Sequence, residues 1–299
     1  MKLRWTAFLL AVCLLPFTSD DAKSLTININ FLEEGEPSRF FGSTGGPEGN
    51  VRGGGSLEEI ATRAAGLWED LLTDPAGRTF EIDFGWRDWG ERRWLAAATR
   101  PQNVTRNYGE VYFNNNARFN YPFYLDPTPD RNEEFTERFL EERDIRGTPI
   151  VTADIHRNGT GLAAGVFDVL DIAAHEIGHV LGVKNTLSSG EWRDVIIVKR
   201  GALAGTTLRT DDAQGSHLDN DAHPGAIMNT ITGRGTRFFP TDIDAALLSQ
   251  MNGFDSAQTL SVTAPDVQPI PLPMGVYLSL TGLGALIALS YRRRRGPAG

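Results

Sequence analysis

The stretch HEIGHVLGVKN, residues 175 to 185, decides which fold this chain can adopt. It overlaps the apolar run LDIAAHEIGHVLGV, which predicts a long helix over about residues 168 to 183. His175 and His179 are four residues apart, so a helix places both rings on one face and both imidazoles can reach one ion. Glu176 then points to the edge of the same site, where its carboxylate can take a proton from zinc-bound water. The stretch therefore predicts a zinc-binding helix.

Four segments outside this helix have the pattern of β-strands. LTININF, 25 to 31, and TFEIDFGW, 79 to 86, alternate apolar and polar residues, as half-buried strands do. GEVYFNN, 109 to 115, and TPIVTADI, 148 to 155, are predicted to be two further strands. Together they predict a mixed twisted sheet.

Two further helices are expected on either side of the zinc helix. Ser56 is a typical helix cap, with Glu59 in the capping-box position, and an apolar face follows to Leu71. Another helix should run over about residues 241 to 251. Strands that precede one central helix predict the α+β class, with the sheet backed by helices.

A family resemblance follows from two motifs taken together. HEIGHVLG and the later GAIMN, residues 225 to 229, resemble the metzincin clan of zinc endopeptidases. Met228 matches the methionine turn that lies beneath the metal in that clan. YGEVYFNNNARF, residues 108 to 119, is similar to matrixin-type domains. The resemblance covers about residues 25 to 255, and it implies a twisted mixed sheet, a central zinc-binding helix and a methionine turn.

The third metal ligand is the point at which the chain departs from the metzincin pattern. Asn185 stands where the clan has a third histidine, and an amide oxygen is a poor ligand for zinc. His217 and His223 both lie shortly before Met228, which resembles leishmanolysin-like metzincins, in which the third histidine follows an insertion. We expect His175, His179 and His217 to bind Zn²⁺. His223, Asn185 or no third ligand are the alternatives.

Both ends of the chain have the composition of targeting segments. Residues 1 to 22 combine Lys2 and Arg4 with an apolar run, which predicts a secretory signal peptide. Residues 274 to 291 carry no charge and are followed by four arginines, which predicts a transmembrane helix with its arginines in the cytoplasm. With Pro271-Leu272-Pro273 in front, this tail resembles the bacterial PEP-CTERM sorting signals, and the resemblance implies an exosortase-type processing enzyme.

These segments divide the chain into four parts. The predicted boundaries are 1–22 for the signal peptide, 23–253 for the metalloprotease domain, 254–273 for a linker and 274–299 for the C-terminal sorting signal. The protein is therefore expected to be exported and held at the cell envelope. Its single cysteine, Cys13, lies in the signal peptide, so disulfides and thiolate ligands are not expected in the mature protein.

The expected activity follows from the motif and the resemblance. They imply a zinc-dependent endopeptidase that hydrolyses peptide bonds with zinc-activated water, Glu176 being the general base. Residues 229 to 231 would line the main specificity pocket, and the partner would be a protein or peptide substrate. A net charge of −9 argues against nucleic acid as a partner. The alternative, favoured by Asn185, is a surface binding or adhesion module that keeps the metzincin scaffold without turnover.

Overall fold

The computed structural model describes residues 24–40, 42–47, 51–99, 107–183, 195–211, 216–230 and 232–256. All of these belong to one unit, Met1–Thr259, and a second unit covers Leu260–Gly299. The predicted signal peptide, Asn185, nearly all of the linker and the C-terminal sorting signal lie outside the described residues. Within the described ranges, no helix is both long enough and apolar enough to cross a membrane.

Helices and strands are both well represented in the described part of the chain. The helices are α1 Leu57–Leu71, α2 Val169–Leu181 and α3 Asp242–Asn252, with a 3₁₀ turn at Gly161–Ala163. The strands in the first half are β1 Thr26–Phe31, β2 Pro37–Ser38, β3 Gly42–Ser43, β4 Val51–Arg52, β5 Leu72–Thr73, β6 Thr79–Arg87, β7 Ala96–Thr99 and β8 Tyr108–Asn114. The strands in the second half are β9 Phe123–Tyr124, β10 Phe135–Ile145, β11 Thr148–Gly159, β12 Phe167–Asp168, β13 Val195–Ile197, β14 Thr207–Arg209, β15 Arg237–Phe238 and β16 Asp255–Ser256. The fold is α+β, as the pattern predicted.

The main sheet has four strands in the order β1-β6-β8-β7. β1, β6 and β8 run parallel, and β7 pairs antiparallel with β8, so the sheet is mixed, as expected. Phe80, Ile82 and Phe84 alternate along β6 and are fully buried, because they belong to the hydrophobic core shared with α1 and α2. Trp68 of α1 joins the two helices, since its indole N–H donates to the Ala174 carbonyl at 2.8 Å.

One predicted strand lies in a different sheet from the one expected. β11, which contains residues 148 to 155, pairs antiparallel with β10 and β15 rather than joining the main sheet. β10 was not predicted, because most of its residues are exposed and the apolar alternation is missing. A tight turn at Arg146 and Gly147, both with positive φ (58° and 84°), brings the two strands together.

The start of α2 is held in place by a buried ion-pair cluster. Asp168 caps the helix by accepting a hydrogen bond from the Asp171 N–H at 2.9 Å. The fully buried Arg237 guanidinium donates to both Asp168 oxygens at 3.1 and 2.8 Å and also to Asp126. α2 ends at Leu181 and is capped by Gly182, whose φ of 151° suits glycine and whose N–H donates to the Gly178 carbonyl. Both ends of the helix that bears His175 and His179 are therefore fixed.

Candidate metal centre

His175 and His179 turn their Nε2 atoms towards each other on one face of α2. The two nitrogens are 3.0 Å apart. The Nδ1 of His175 hydrogen-bonds to the Ile227 carbonyl at 2.7 Å, and the Nδ1 of His179 hydrogen-bonds to the Val183 carbonyl. Because a carbonyl only accepts, each Nδ1 carries the proton and each Nε2 presents a lone pair.

His217 joins this pair from the segment before the methionine. Its ring centroid is 5.3 Å from that of His175 and 4.9 Å from that of His179. Its neighbour Leu218 is fully buried and donates its N–H to the Met228 carbonyl at 2.8 Å, which ties this segment to the turn below. The expected convergence of the three rings is present, and the ligand role of His217 stays a prediction.

The donor set fits a small divalent cation. One ring nitrogen from each of the three histidines lies within 4.8 Å of the others. Two Nε2 lone pairs that face each other at 3.0 Å repel unless a cation lies between them. Two nitrogens at tetrahedral zinc would be about 3.4 Å apart, from Zn–N bonds of roughly 2.0–2.1 Å. The separation of the His175 and His179 nitrogens is close to that value.

Burial lowers the pKa of the His175 and His179 rings, which keeps them in the form that can bind a metal at neutral pH. Desolvation, and then the nearby His217, lower the pKa of His175 from 6.5 to about 4. Desolvation, with His175 and His217 adding to it, holds the pKa of His179 well below its usual range. Both rings are therefore neutral at pH 7, which is the form that binds metal.

Met228 lies fully buried against α2, and its role in a methionine turn stays a prediction. Its thioether sulfur packs on Gly178, the residue before His179. A Cβ atom at Gly178 would lie only 2.3 Å from the Met228 sulfur. Glycine is therefore required at this position for the turn to approach the helix so closely.

The turn that contains Ile227 and Met228 is stabilised by one buried carboxylate. Asp244 of α3 accepts hydrogen bonds from the backbone N–H groups of Ile227 and Met228 at 3.2 and 3.0 Å. The same carboxylate accepts the N–H and hydroxyl of Thr241, both at 2.8 Å, and so caps α3. Because the Ile227 carbonyl in turn orients His175, Asp244 supports the candidate metal centre through this turn.

Glu176 lies beside the histidines and is almost completely buried. It is 8% exposed, and it accepts a hydrogen bond from the Ala98 N–H of β7. Desolvation raises the pKa of Glu176 to about 8. A buried carboxyl with a pKa near neutrality can both accept and return a proton.

A cleft of about 240 Å³ opens next to the three histidines. Its lining comes from α2, from the segment that leads into β7, and from the methionine turn and the residues after it. The lining residues are Trp94, Leu95, Ala96, Asp171, Ile172, His175, Glu176, His217, Ile227, Asn229, Thr230 and Thr232. Asn229 and Thr230 thus lie where the pocket wall was expected, and Ile231 lies outside the described residues.

The other candidate ligands are not part of this cluster. His223 points elsewhere, and its Nε2 accepts the Arg209 N–H at 3.1 Å. His156 lies on β11 with its ring 5.4 Å from that of Phe239, which fits a structural role. Of the histidines in the described ranges, only His175, His179 and His217 form a group that could hold a metal ion.

Several residues of the site were not singled out by the sequence. Asp171 lines the cleft, and its spacing of four residues before His175 was a usable signal, because that spacing puts both on one helix face. Trp94 also lines the cleft, and no local pattern marked it. Asp244 could have been noticed as the capping-box partner of Thr241, but its contact with Met228 has no sequence signal.

Comparisons with protein-family models, with curated proteins and with solved structures found no match to this chain. Three neutral imidazoles can hold one cation, a buried carboxyl can exchange a proton beside it, and the cleft can accept a side chain of a ligand.

Proposed function

We propose that the chain is a zinc-dependent endopeptidase of the metzincin type. The observation that carries the proposal is the convergence of His175, His179 and His217 next to the buried Glu176 at the wall of one cleft. A zinc ion held by three imidazoles supplies a Lewis acid that activates water and polarises a carbonyl group. The HExxH spacing and Met228 against Gly178 support the metzincin assignment.

Glu176 is assigned the role of general base. Without a cation nearby, its burial favours the protonated form. With an ion held by His175, His179 and His217, its carboxylate form would be favoured instead. Glu176 then accepts a proton from the attacking water and donates it to the departing amine.

The peptide substrate is proposed to bind along β7. This strand is at an edge of the main sheet, and among the described strands it pairs only with β8. Residues on both sides of its start, Leu95 and Ala96, line the cleft, and Ala98 contacts Glu176. An extended peptide could therefore add to the outer edge of β7 by hydrogen bonds to backbone groups other than the Ala98 N–H, which Glu176 accepts, while its scissile bond reaches the metal centre.

A casein-cleavage assay tests the proposed activity. Wild-type protein should cleave casein, lose that activity with a chelator and recover it when zinc is added. Glu176→Ala should still bind one zinc, yet turn over roughly 10²–10⁴-fold more slowly, as is typical when a general base is lost. Cleavage by purified Glu176→Ala at the wild-type rate would exclude the proposed mechanism.

A second candidate function rests on Asn185. This residue occupies the position of the usual third ligand in the motif, so the domain could be a surface binding or adhesion module without turnover. Such a module has no need of Glu176. It would bind zinc with equal affinity in the wild type and in Glu176→Ala, and neither protein would cleave casein or gelatin.

The proposal includes export to the cell envelope. It is supported by the N-terminal apolar run and by the arginine-flanked C-terminal segment, which resembles the substrates of exosortase-type enzymes. Deleting residues 270–299 should release the protein into the medium or the periplasm. Full-length protein found in the cytosolic fraction would contradict this part of the proposal.

A further inference from the structure

The cleft beside the metal centre contains a second buried acid that the proposed mechanism does not use. Asp171 lies about one helical turn before His175, roughly 6 Å along the axis of α2. It is 3% exposed and lines the cleft. Its carboxylate accepts the Thr232 hydroxyl at 2.8 Å and the backbone N–H of Phe238. Two hydrogen bonds leave part of its acceptor capacity free, since a carboxylate has about four lone-pair positions.

Asp171 has no cation of its own within the cleft. None of the described residues that line the cleft is a lysine or an arginine. Arg237 acts on Asp171 only at longer range, because its guanidinium is bound by Asp168 and Asp126. Desolvation, and then the charge of Asp168, hold the pKa of Asp171 well above its usual range. A buried carboxyl in this setting gains from any cation that enters.

The remaining walls suit a long side chain with a polar end. Ile172, Ile227 and the half-exposed Trp94 offer apolar surface, against which the methylene stem of a basic side chain can pack. Thr230 and Thr232 also line the cleft, and the Thr232 hydroxyl, which donates to Asp171, can still accept a hydrogen bond. A short or acidic side chain would leave the carboxylate without a cation to pair with.

We propose that this cleft makes the protein selective for peptides with arginine or lysine next to the scissile bond, with Asp171 as the specificity-determining residue. This inference rests on the proposed endopeptidase function. The basic head group pairs with the free carboxylate acceptor positions, and an arginine can do so with two parallel hydrogen bonds. The net charge of −9 on the chain adds to the attraction of basic peptides.

A binding measurement tests the proposal independently of turnover. Fluorescent peptides on an alanine scaffold, differing at one position between arginine, citrulline, lysine and norleucine, are titrated into zinc-loaded Glu176→Ala. Citrulline is the matched control, because it keeps the shape of arginine without its charge. The arginine peptide should bind at least about tenfold more tightly than the citrulline peptide, as expected for a buried charged hydrogen bond.

Two variants of the cleft then test whether Asp171 causes the preference for the arginine peptide. Asp171→Asn keeps an oxygen for Phe238 and Thr232 but removes the charge. The ratio of the affinities for the arginine and citrulline peptides should therefore fall to about one. Thr230→Lys places a cation at the exposed side of the cleft without touching Asp171, and it should reduce the ratio even if Asp171→Asn folds poorly. Asp70→Asn, which changes an exposed acid on α1, should leave the ratio unchanged.

The outcomes separate this inference from the proposed function. Equal binding of the arginine and citrulline peptides overturns the inference, whether or not any peptide is cleaved. A preference for arginine that survives both Asp171→Asn and Thr230→Lys also overturns it. Selective binding without cleavage of any peptide by the wild-type protein supports the basic pocket and counts against the endopeptidase. Cleavage with a preference for norleucine supports the endopeptidase and overturns the basic pocket.

Discussion

Asp244 accepts a hydrogen bond from the backbone N–H of Met228 at 3.0 Å, across the interface between α3 and the methionine turn. The same carboxylate holds the N–H of Ile227, whose carbonyl orients the His175 ring. A single side chain therefore connects the start of α3 to the turn around Met228 and to His175, one of the proposed metal ligands.

The first prediction concerns Asp244→Ala. It leaves the buried N–H groups of Ile227 and Met228 without acceptors, which should cost roughly 3 kcal/mol of unfolding free energy. Zinc affinity should fall about 10–100-fold, as when a group that orients a metal ligand is lost. Urea denaturation and zinc titration measure the two effects. Asp70→Ala, at an exposed position, should change stability by no more than about 0.5 kcal/mol.

The second prediction identifies the third ligand. His217→Ala should lower zinc affinity by more than the 10–100-fold typical of an outer-shell change, and activity should be lost with the metal. His223→Ala and Asn185→Ala should each keep close to one zinc per chain by elemental analysis. If instead Asn185→Ala loses zinc and His217→Ala retains it, the assignment of His217 is wrong.

The third prediction compares two arginine–aspartate pairs in the same protein. Arg237 is fully buried and binds both Asp126 and Asp168, so Arg237→Met leaves two buried carboxylates without their shared cation. That should cost roughly 3–5 kcal/mol. Arg138 binds Asp154 with two hydrogen bonds but is half exposed, so Arg138→Met should cost at most about 1 kcal/mol. Similar unfolding free energies for the two variants would contradict the buried-cluster account.

The fourth prediction concerns acid sensitivity of the metal-free protein. The pKa of His175 is about 4 in the folded state, because of burial and then His217, and the ordinary value is 6.5. The unfolded chain therefore binds the extra proton first, so this stabilising contribution is present above pH 6.5 and is lost as the pH falls towards 4. The stability difference between wild type and His175→Gln should shrink over that range in urea titrations. A difference that is constant with pH would contradict the neutral buried ring.

The fifth prediction concerns Glu176, whose contribution to stability changes with pH in the opposite direction to that of His175. Burial raises the pKa of Glu176 from 4.5 to about 8, so the folded state holds this proton longer than the unfolded chain does. Its favourable contribution is present at low pH and is lost as the pH rises from 4.5 to 8. Without metal, Glu176→Gln should therefore be more stabilising relative to wild type at pH 8 than at pH 5. Zinc should remove this difference, because a nearby cation favours the carboxylate.

The sequence predicted the parts of the fold that depend on local periodicity. The helical spacing of His175 and His179 places both rings on one face of α2, independently of the rest of the fold. Ser56 caps α1 by accepting the Glu59 N–H, as predicted. The alternation of residues 79 to 86 likewise predicted the buried face of β6. Each of these signals is contained within a few neighbouring residues.

The convergence of His217 was a weaker inference from the sequence. The stretch before Met228 held two histidines, and spacing alone could not choose between them. The tertiary structure brings His217 to the other two rings, because the buried Leu218 pairs with the Met228 carbonyl. His223, only six residues later, is turned towards Arg209 instead.

Other features depend only on contacts between distant segments. β10 is a strand because the Arg146–Gly147 turn folds it onto β11, although its own residues lack the apolar alternation of a strand. Asp244 and Arg237 act on α2 and the methionine turn from segments remote in sequence, and such contacts leave no local pattern. The sequence by itself thus determined the HExxH helix and the elements with a clear local periodicity. Only the tertiary structure decided which histidine joins the pair and which acid lines the cleft, because burial and long-range hydrogen bonds depend on packing rather than on the order of neighbouring residues.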